Sequence, residues 1–130
     1  MANPTVKSKG VNREVHCATA NFVFSDTVAG AYDSAVIIPP KATITGVYMY
    51  ANITMAGGTN VIANIGPAGG THVDLTPVVI TADLNANNKQ DSSAVVTPLA
   101  LDAVQGGVIS ITTTGTYSAG DLDVTVCYVV

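Results

Sequence analysis

Tryptophan is missing from this chain, glutamate occurs once (Glu14), and there are only two cysteines, two histidines and two phenylalanines. Charged residues make up 11% of the 130 positions, against roughly a quarter in an ordinary soluble domain. Each shortage excludes something. With a single Glu, paired-carboxylate glycoside chemistry would have to come from aspartates. The one close pair, Asp121 and Asp123, flanks a turn, where solvated Asp is ordinary. Cys17 and Cys127 form neither a metal knuckle nor a CxxC redox pair. They read as reduced, partly buried small hydrophobes, and a disulfide is open to them only if their strands are neighbours. His16 and His72 lack the partners and spacing of a structural zinc site. His72 and Asp74 alternate in a Gly-flanked segment and read as an exposed loop pair. No catalytic residue, metal site or cofactor is expected, and the chain does not read as an enzyme.

Cations are equally scarce. Lysine and arginine total five, the net charge is -4, and the calculated pI is about 4.6. Lys7, Lys9 and Arg13 cluster near the N-terminus, too thin a patch for a nucleic-acid footprint. The apolar runs are far shorter than a membrane span, so neither nucleic acid nor membrane is an expected partner. Met1–Gly10 is polar, with no apolar core of a secretion signal. The expectation is a chain made in a cytoplasm and soluble there until it joins an assembly. The Gly-rich stretches GGTNVIANIG and GPAGG lack the Gly-Lys-Ser/Thr ending of a phosphate loop. DLNANNKQDSS lacks the central Gly and terminal Glu of a calcium loop.

What is present is β-forming. Hydrophobic residues reach 48%, so one domain with a real core is affordable at this length. The strongest signal is Ala35–Ile53, AVIIPPKATITGVYMYANI. An apolar run stops at Pro39-Pro40, which cannot donate to a ladder, and a long second strand follows. A bulge at Gly46 would bring Ile44 to the side of Val47 and Met49, leaving Tyr48 and Tyr50 on the other. The segment is predicted to be a central wall of the fold.

Upstream, residues 1–13 read as a polar arm, and residues 14–130 as one domain. Glu14–Ser25 is predicted as a strand with Ala18, Ala20, Phe22 and Phe24 inward; Asp26–Ser34 as a loop. Met55–Asn60 reads as a hairpin turn, and Asn60–Ile65 as a strand with Val61, Ala63 and Ile65 inward. Gly66–Gly70 is a turn, Val73–Ala82 an irregular crossing with one short extended piece, and Asp83–Ser93 a loop. Ala94–Leu99 reads as an edge strand because of Pro98, and Leu99–Val104 as a helical turn. Val108–Thr114 and Asp121–Val130 are predicted to form the clearest hairpin, with Leu122, Val124, Val126 and Tyr128 inward. The pattern is an all-β sandwich or small barrel.

The strings DTVAGAYDSAVIIPPKATITGVYMYANITM, NVIANIG and TTGTYSAGDLDVTVCYVV resemble small structural proteins of tailed bacteriophage virions. These are capsid decoration (cement) or head-fibre proteins. Pro39-Pro40, Ile44, Val47 and Met49 match the middle of that pattern. Ile65-Gly66 match its short strand, and Ala119-Gly120, Val124, Val126 and Tyr128 its tail. The resemblance implies a small antiparallel β-sandwich, jelly-roll-like, on the capsid exterior, as a homodimer or homotrimer bound to the major capsid protein shell. It carries over no catalytic residue. Within that expectation Lys7, Lys9 and Arg13, with Tyr48 and Tyr50, are the candidate partner interface. The alternative is a carbohydrate-binding or host-adsorption module of a fibre or tail. It would need Tyr48 and Tyr50, or Tyr32 and Tyr117, to stack on a glycan.

Overall fold

A computed structural model describes Pro4 and residues 14–76, 79–86, 89–91, 99–100 and 106–130. Ten strands occur among them: β1 (His16–Phe24), β2 (Gly30–Ile38), β3 (Thr43–Ala56), β4 (Asn60–Gly66), β5 (Val73–Asp74), β6 (Val79–Ile80), β7 (Lys89–Asp91), β8 (Leu99–Ala100), β9 (Gly107–Thr114) and β10 (Ala119–Val129). A 3-10 turn, Thr81–Asp83, follows β6. The strands form two five-stranded sheets. One runs β1-β10-β3, with β7 and β8 sharing the far edge of β3; the other runs β2-β9-β4, with β5 and β6 sharing the far edge of β4. All these pairings are antiparallel.

Counting each shared edge as one position gives eight strand positions in two sheets, wound so that first pairs with last and second with second-last. That is the jelly-roll form of the β-sandwich. The core lies between the sheets. Ile44, Val47, Met49 and Ala51 of β3 and Leu122, Val124 and Val126 of β10 face Val61, Ala63 and Ile65 of β4 and Ile109 and Ile111 of β9. Burying a side chain of this size contributes about 1.5–3 kcal/mol.

β3 is internal, laddered to β10 on one side and to β7 and β8 on the other. Its register slips where expected: Cys127 faces Gly46, and Tyr128 faces Ile44, so Thr45 is the extra residue of a bulge. Ile44 is thereby buried on the side of Val47 and Met49. The strand before the Pro-Pro turn belongs to the opposite sheet, however. Ala35–Ile53 therefore spans both walls, and Pro39-Pro40 carries the chain between them.

Other expectations change for the same reason. β9 and β10 are not a hairpin; they lie in different sheets, as do β3 and β4 on either side of Met55–Asn60. Their alternation fits either arrangement, and the fully buried Tyr117 decides between them. It draws the β9–β10 connection into the sandwich end, where Tyr117 and Thr27 exchange backbone hydrogen bonds of 2.8 Å and Ser118 N donates to Ala56 O at 2.9 Å. Gly30–Ser34 is strand rather than loop, because it ladders on β9. Lys89–Asp91, inside the stretch read as a loop, pairs with Tyr48–Tyr50. The crossing after Val73 holds two short extended pieces rather than one. Leu99–Ala100 is strand, not helical turn; residues 92–98 and 101–105 of the two elements predicted there lie outside the described residues.

The cysteines are the sharpest correction. Cys17 and Cys127 stand opposite each other in the β1–β10 ladder and form a disulfide, with Cα atoms 4.1 Å apart. Reduced thiols were the expectation. The jelly-roll winding makes first and last strands neighbours, which satisfies the condition on which a bridge depended.

Candidate interaction surface

The outer face of the β1-β10-β3 sheet is built from the residues that alternate with the core. The register places them in rows across the strands. One row carries the disulfide. The next pairs Thr19 with Thr125, whose hydroxyls lie 2.8 Å apart, and continues to Tyr48. The third holds Asn21, Asp123 and Tyr50. In the last, Val23 and Ile53 flank Asp121, and both are more than half exposed. Asn21 ties the lower rows together: its amide donates to Asp121 at 2.5 Å and to Asp123 at 2.7 Å, and Asn52 donates to Asp121 at 3.0 Å. The Asn21 bonds draw both carboxylates toward β1, while Asn52 holds Asp121 from the β3 side. Among the described residues neither carboxylate has a cation within ion-pair distance.

Tyr48 and Tyr50, two of the predicted interface residues, stand side by side on this face, half-buried between β10 and β7. Glycine at position 46 lets the Tyr48 ring fold back along the strand. A Cβ there would stand 3.2 Å from the tyrosine hydroxyl oxygen. Lys7, Lys9 and Arg13, and with them the arm 1–13 apart from Pro4, lie outside the described residues.

The outer face of the second sheet is partly covered instead. The connection from β4 to β5 crosses it as a strap and reaches Asp33 on β2. Gly69 N donates to Asp33 Oδ2 at 3.0 Å, and His72 Nε2 lies 3.2 Å from Asp33 Oδ1. That ring nitrogen makes no hydrogen bond, so the contact is one of proximity. The other, Nδ1, bonds the Gly70 carbonyl at 2.7 Å. Under the strap Ser110 and Asn64 are buried and hydrogen-bonded to one another, and the Asn64 amide also donates to Thr112 at 2.8 Å. His72 thus pairs with Asp33 and not with Asp74. Between the edges of β1 and β2 a cleft of about 310 Å³ opens, lined by Phe22, Phe24, Tyr32 and Ile111 with Asn21 and Thr27 at its polar side.

The second tyrosine pair considered for a glycan, Tyr32 with Tyr117, is not available. Tyr117 is fully buried, its ring 5.3 Å from that of Phe24. Burial raises its pKa above the usual phenol value of 10.0, offset in part by the hydroxyl of Thr81, 2.8 Å away. Among the described residues no three His, Cys, Asp or Glu side chains come together as metal ligands, and no helix is long and apolar enough to cross a membrane.

The chain resembles chains of known structures in fold. It superposes on a chain of the capsid asymmetric unit of cyanophage Pam1 with a TM-score of 0.59 and 17% identity, covering 99% of this chain and 94% of that one. The likeness is one of fold. A second match, to a chain of the acid-stable capsid of Helicobacter pylori bacteriophage KHP30, has a TM-score of 0.61 and 15% identity over 92% and 90% of the two chains. Both span nearly the whole of each chain, so the full jelly roll is shared. No family model matches the chain, and no curated protein matches it in sequence.

The Asn21 clamp and the Asp33–His72 contact were not found from sequence. Asn21 gave a faint signal, as a polar residue at an outward position beside Phe22. Asp33 and His72 gave none, because strap and strand meet only through the fold.

Proposed function

We propose that this protein is a non-enzymatic structural component of a bacteriophage virion, a decoration or cement protein that binds the outside of the assembled head and stabilises it. The observation that carries this reading is the shared jelly roll, matched end to end with chains of two phage capsid structures. The part of the outer face around Thr19, Thr125, Tyr48 and Tyr50 suits contact with neighbouring subunits, since aromatic side chains are enriched at interface cores, and Asp121 and Asp123 give the face a negative margin. The disulfide supports an exterior location: such bonds persist on virion surfaces and are rare in a reducing cytoplasm. In this reading the arm extends over a neighbour, with Lys7, Lys9 and Arg13 as steering charges for an acidic surface. A ligand that binds only the assembled shell stabilises it by mass action.

The test is to mix purified protein with undecorated, expanded capsids. Co-sedimentation at a fixed stoichiometry and a raised capsid melting temperature are expected; no binding overturns the proposal. The second reading, a glycan-binding fibre or tail module, now has only Tyr48 and Tyr50 to stack on a sugar. Strong glycan-array binding lost in Tyr48→Ala would favour it.

A further inference from the structure

Among the described residues, β1 is paired on one side only, by β10, and its other edge is free. Opposed residues on antiparallel strands alternate between hydrogen-bonded pairs, with Cα atoms about 5.5 Å apart, and non-bonded pairs at about 4.5 Å. At 4.1 Å, Cys17 and Cys127 are a non-bonded pair. Thr45 Oγ1 agrees, donating to the Cys127 carbonyl from the β3 side at 3.3 Å. The register runs unbroken from His16 to Phe24. The backbone N–H and C=O groups of Cys17, Thr19, Asn21 and Val23 therefore point away from β10, and no described residue bonds them. Edge strands are normally blunted by Lys, Pro, a bulge or an inward charge. β1, HCATANFVF, has none of these, whereas β2 is bulged between Asp33 and Ile37 and held by the strap.

Charge indicates what pairs there. Residues 1–13 hold Lys7, Lys9 and Arg13 and no acid, a net +3; the rest holds Lys41 and Lys89 against all nine acidic residues, a net -7. Lys7 and Lys9 have the two-residue spacing of Asp121 and Asp123, the carboxylates that accept from Asn21 of β1 and that have, among the described residues, no cation within ion-pair distance. Thirteen extended residues span up to about 43 Å, enough to run the length of a nine-residue strand. The same molecule's arm is poorly placed. An antiparallel fold-back setting Lys9 beside Asn21 and Lys7 beside Val23 needs its turn at Glu14–His16, and His16 is already laddered to Tyr128.

We propose that the arm of a second copy of this chain adds as an antiparallel strand to the free edge of β1, with Lys9 over Asp123 and Lys7 over Asp121. The inference deepens the homo-oligomeric part of the proposed function and does not depend on a shell. The added strand would roof the cleft between β1 and β2.

Purified full-length protein, without capsids, is examined by sedimentation and by amide hydrogen exchange. Oligomers larger than the 13.2 kDa chain are expected, with slow exchange at Cys17, Thr19, Asn21 and Val23. Val23→Pro removes an outward N–H, which an edge strand tolerates, and is expected to weaken association at least tenfold while leaving the circular dichroism spectrum unchanged. Full-length Lys7→Glu/Lys9→Glu leaves the sandwich untouched and is expected to weaken association similarly, with a matching loss of salt dependence. A monomer with fast exchange at those four amides overturns the inference. So does a monomer in which they are protected, which would place the arm in cis, or an oligomer indifferent to both variants. Because no shell is present, failure here leaves the capsid-binding test standing, and the reverse holds.

Discussion

Tyr117 stands where several connections of the jelly roll meet, and one proton orders them. Thr81 Oγ1 donates its single hydrogen to Gly58 O at 2.8 Å, so the hydroxyl pair 2.8 Å apart must be completed by Tyr117 as donor. Tyr117→Phe is expected to lower unfolding stability by about 1 kcal/mol in urea titrations. Gly58→Ala is expected to cost more, on the order of 3 kcal/mol, because its Cβ would overlap the Tyr117 ring. The ionisation of Tyr117 has a sign that can be checked. Its folded pKa is raised, so its stabilising contribution is complete below the unfolded value near 10.0 and is lost as pH rises through the folded one. Wild-type stability should fall more steeply than that of Tyr117→Phe as pH rises from about 10.0 through the folded value. In sequence Tyr117 is one of five tyrosines. Nothing local marks it as the buried one, because the pocket that takes it is built from β1, the β3–β4 connection and the turn at Thr81.

The strands themselves were legible, and their partners were not. Alternation located β1, β4 and β10 and their inward residues, and Gly46 marked the bulge in β3 because a two-residue period with bulk on both faces demands a change of phase. Gly-rich turns such as Gly115–Gly120 say that the chain reverses, but not whether the next strand joins the same sheet or crosses to the other. That choice rests on burial at the sandwich end, which is a tertiary fact. The same holds for the β1–β10 pair and therefore for the disulfide. The bridge joins residues separated by 110 positions. Limiting the unfolded chain by such a loop is worth about 5 kcal/mol in the chain-entropy account. Reduction is expected to lower the melting temperature by roughly 10 °C or more, measured by calorimetry with and without reductant. An unchanged melting temperature would mean that the bond does not form in solution.

For the whole molecule, the winding makes the most distant parts of the chain nearest neighbours: His16 with Tyr128, and Gly30 with Thr113. Domains dominated by such pairings fold in about milliseconds to seconds, because loop closure comes before the contacts that reward it. Chains unfolded with the disulfide intact are therefore expected to refold several-fold faster than reduced chains in stopped-flow fluorescence. Equal rates would place the β1–β10 ladder after the rate-limiting step. The bridge also has a mechanical meaning. The beginning of β1 and the end of β10 lie together, so tension applied between the two termini would open their ladder like a zipper, one rung at a time. The second rung is covalent. Force entering there can part His16 from Tyr128, and Tyr128 and Val129 from their β3 partners Ile44 and Thr43, before it passes into the sulfur–sulfur bond, and the β1–β10 ladder beyond the bridge is shielded from it.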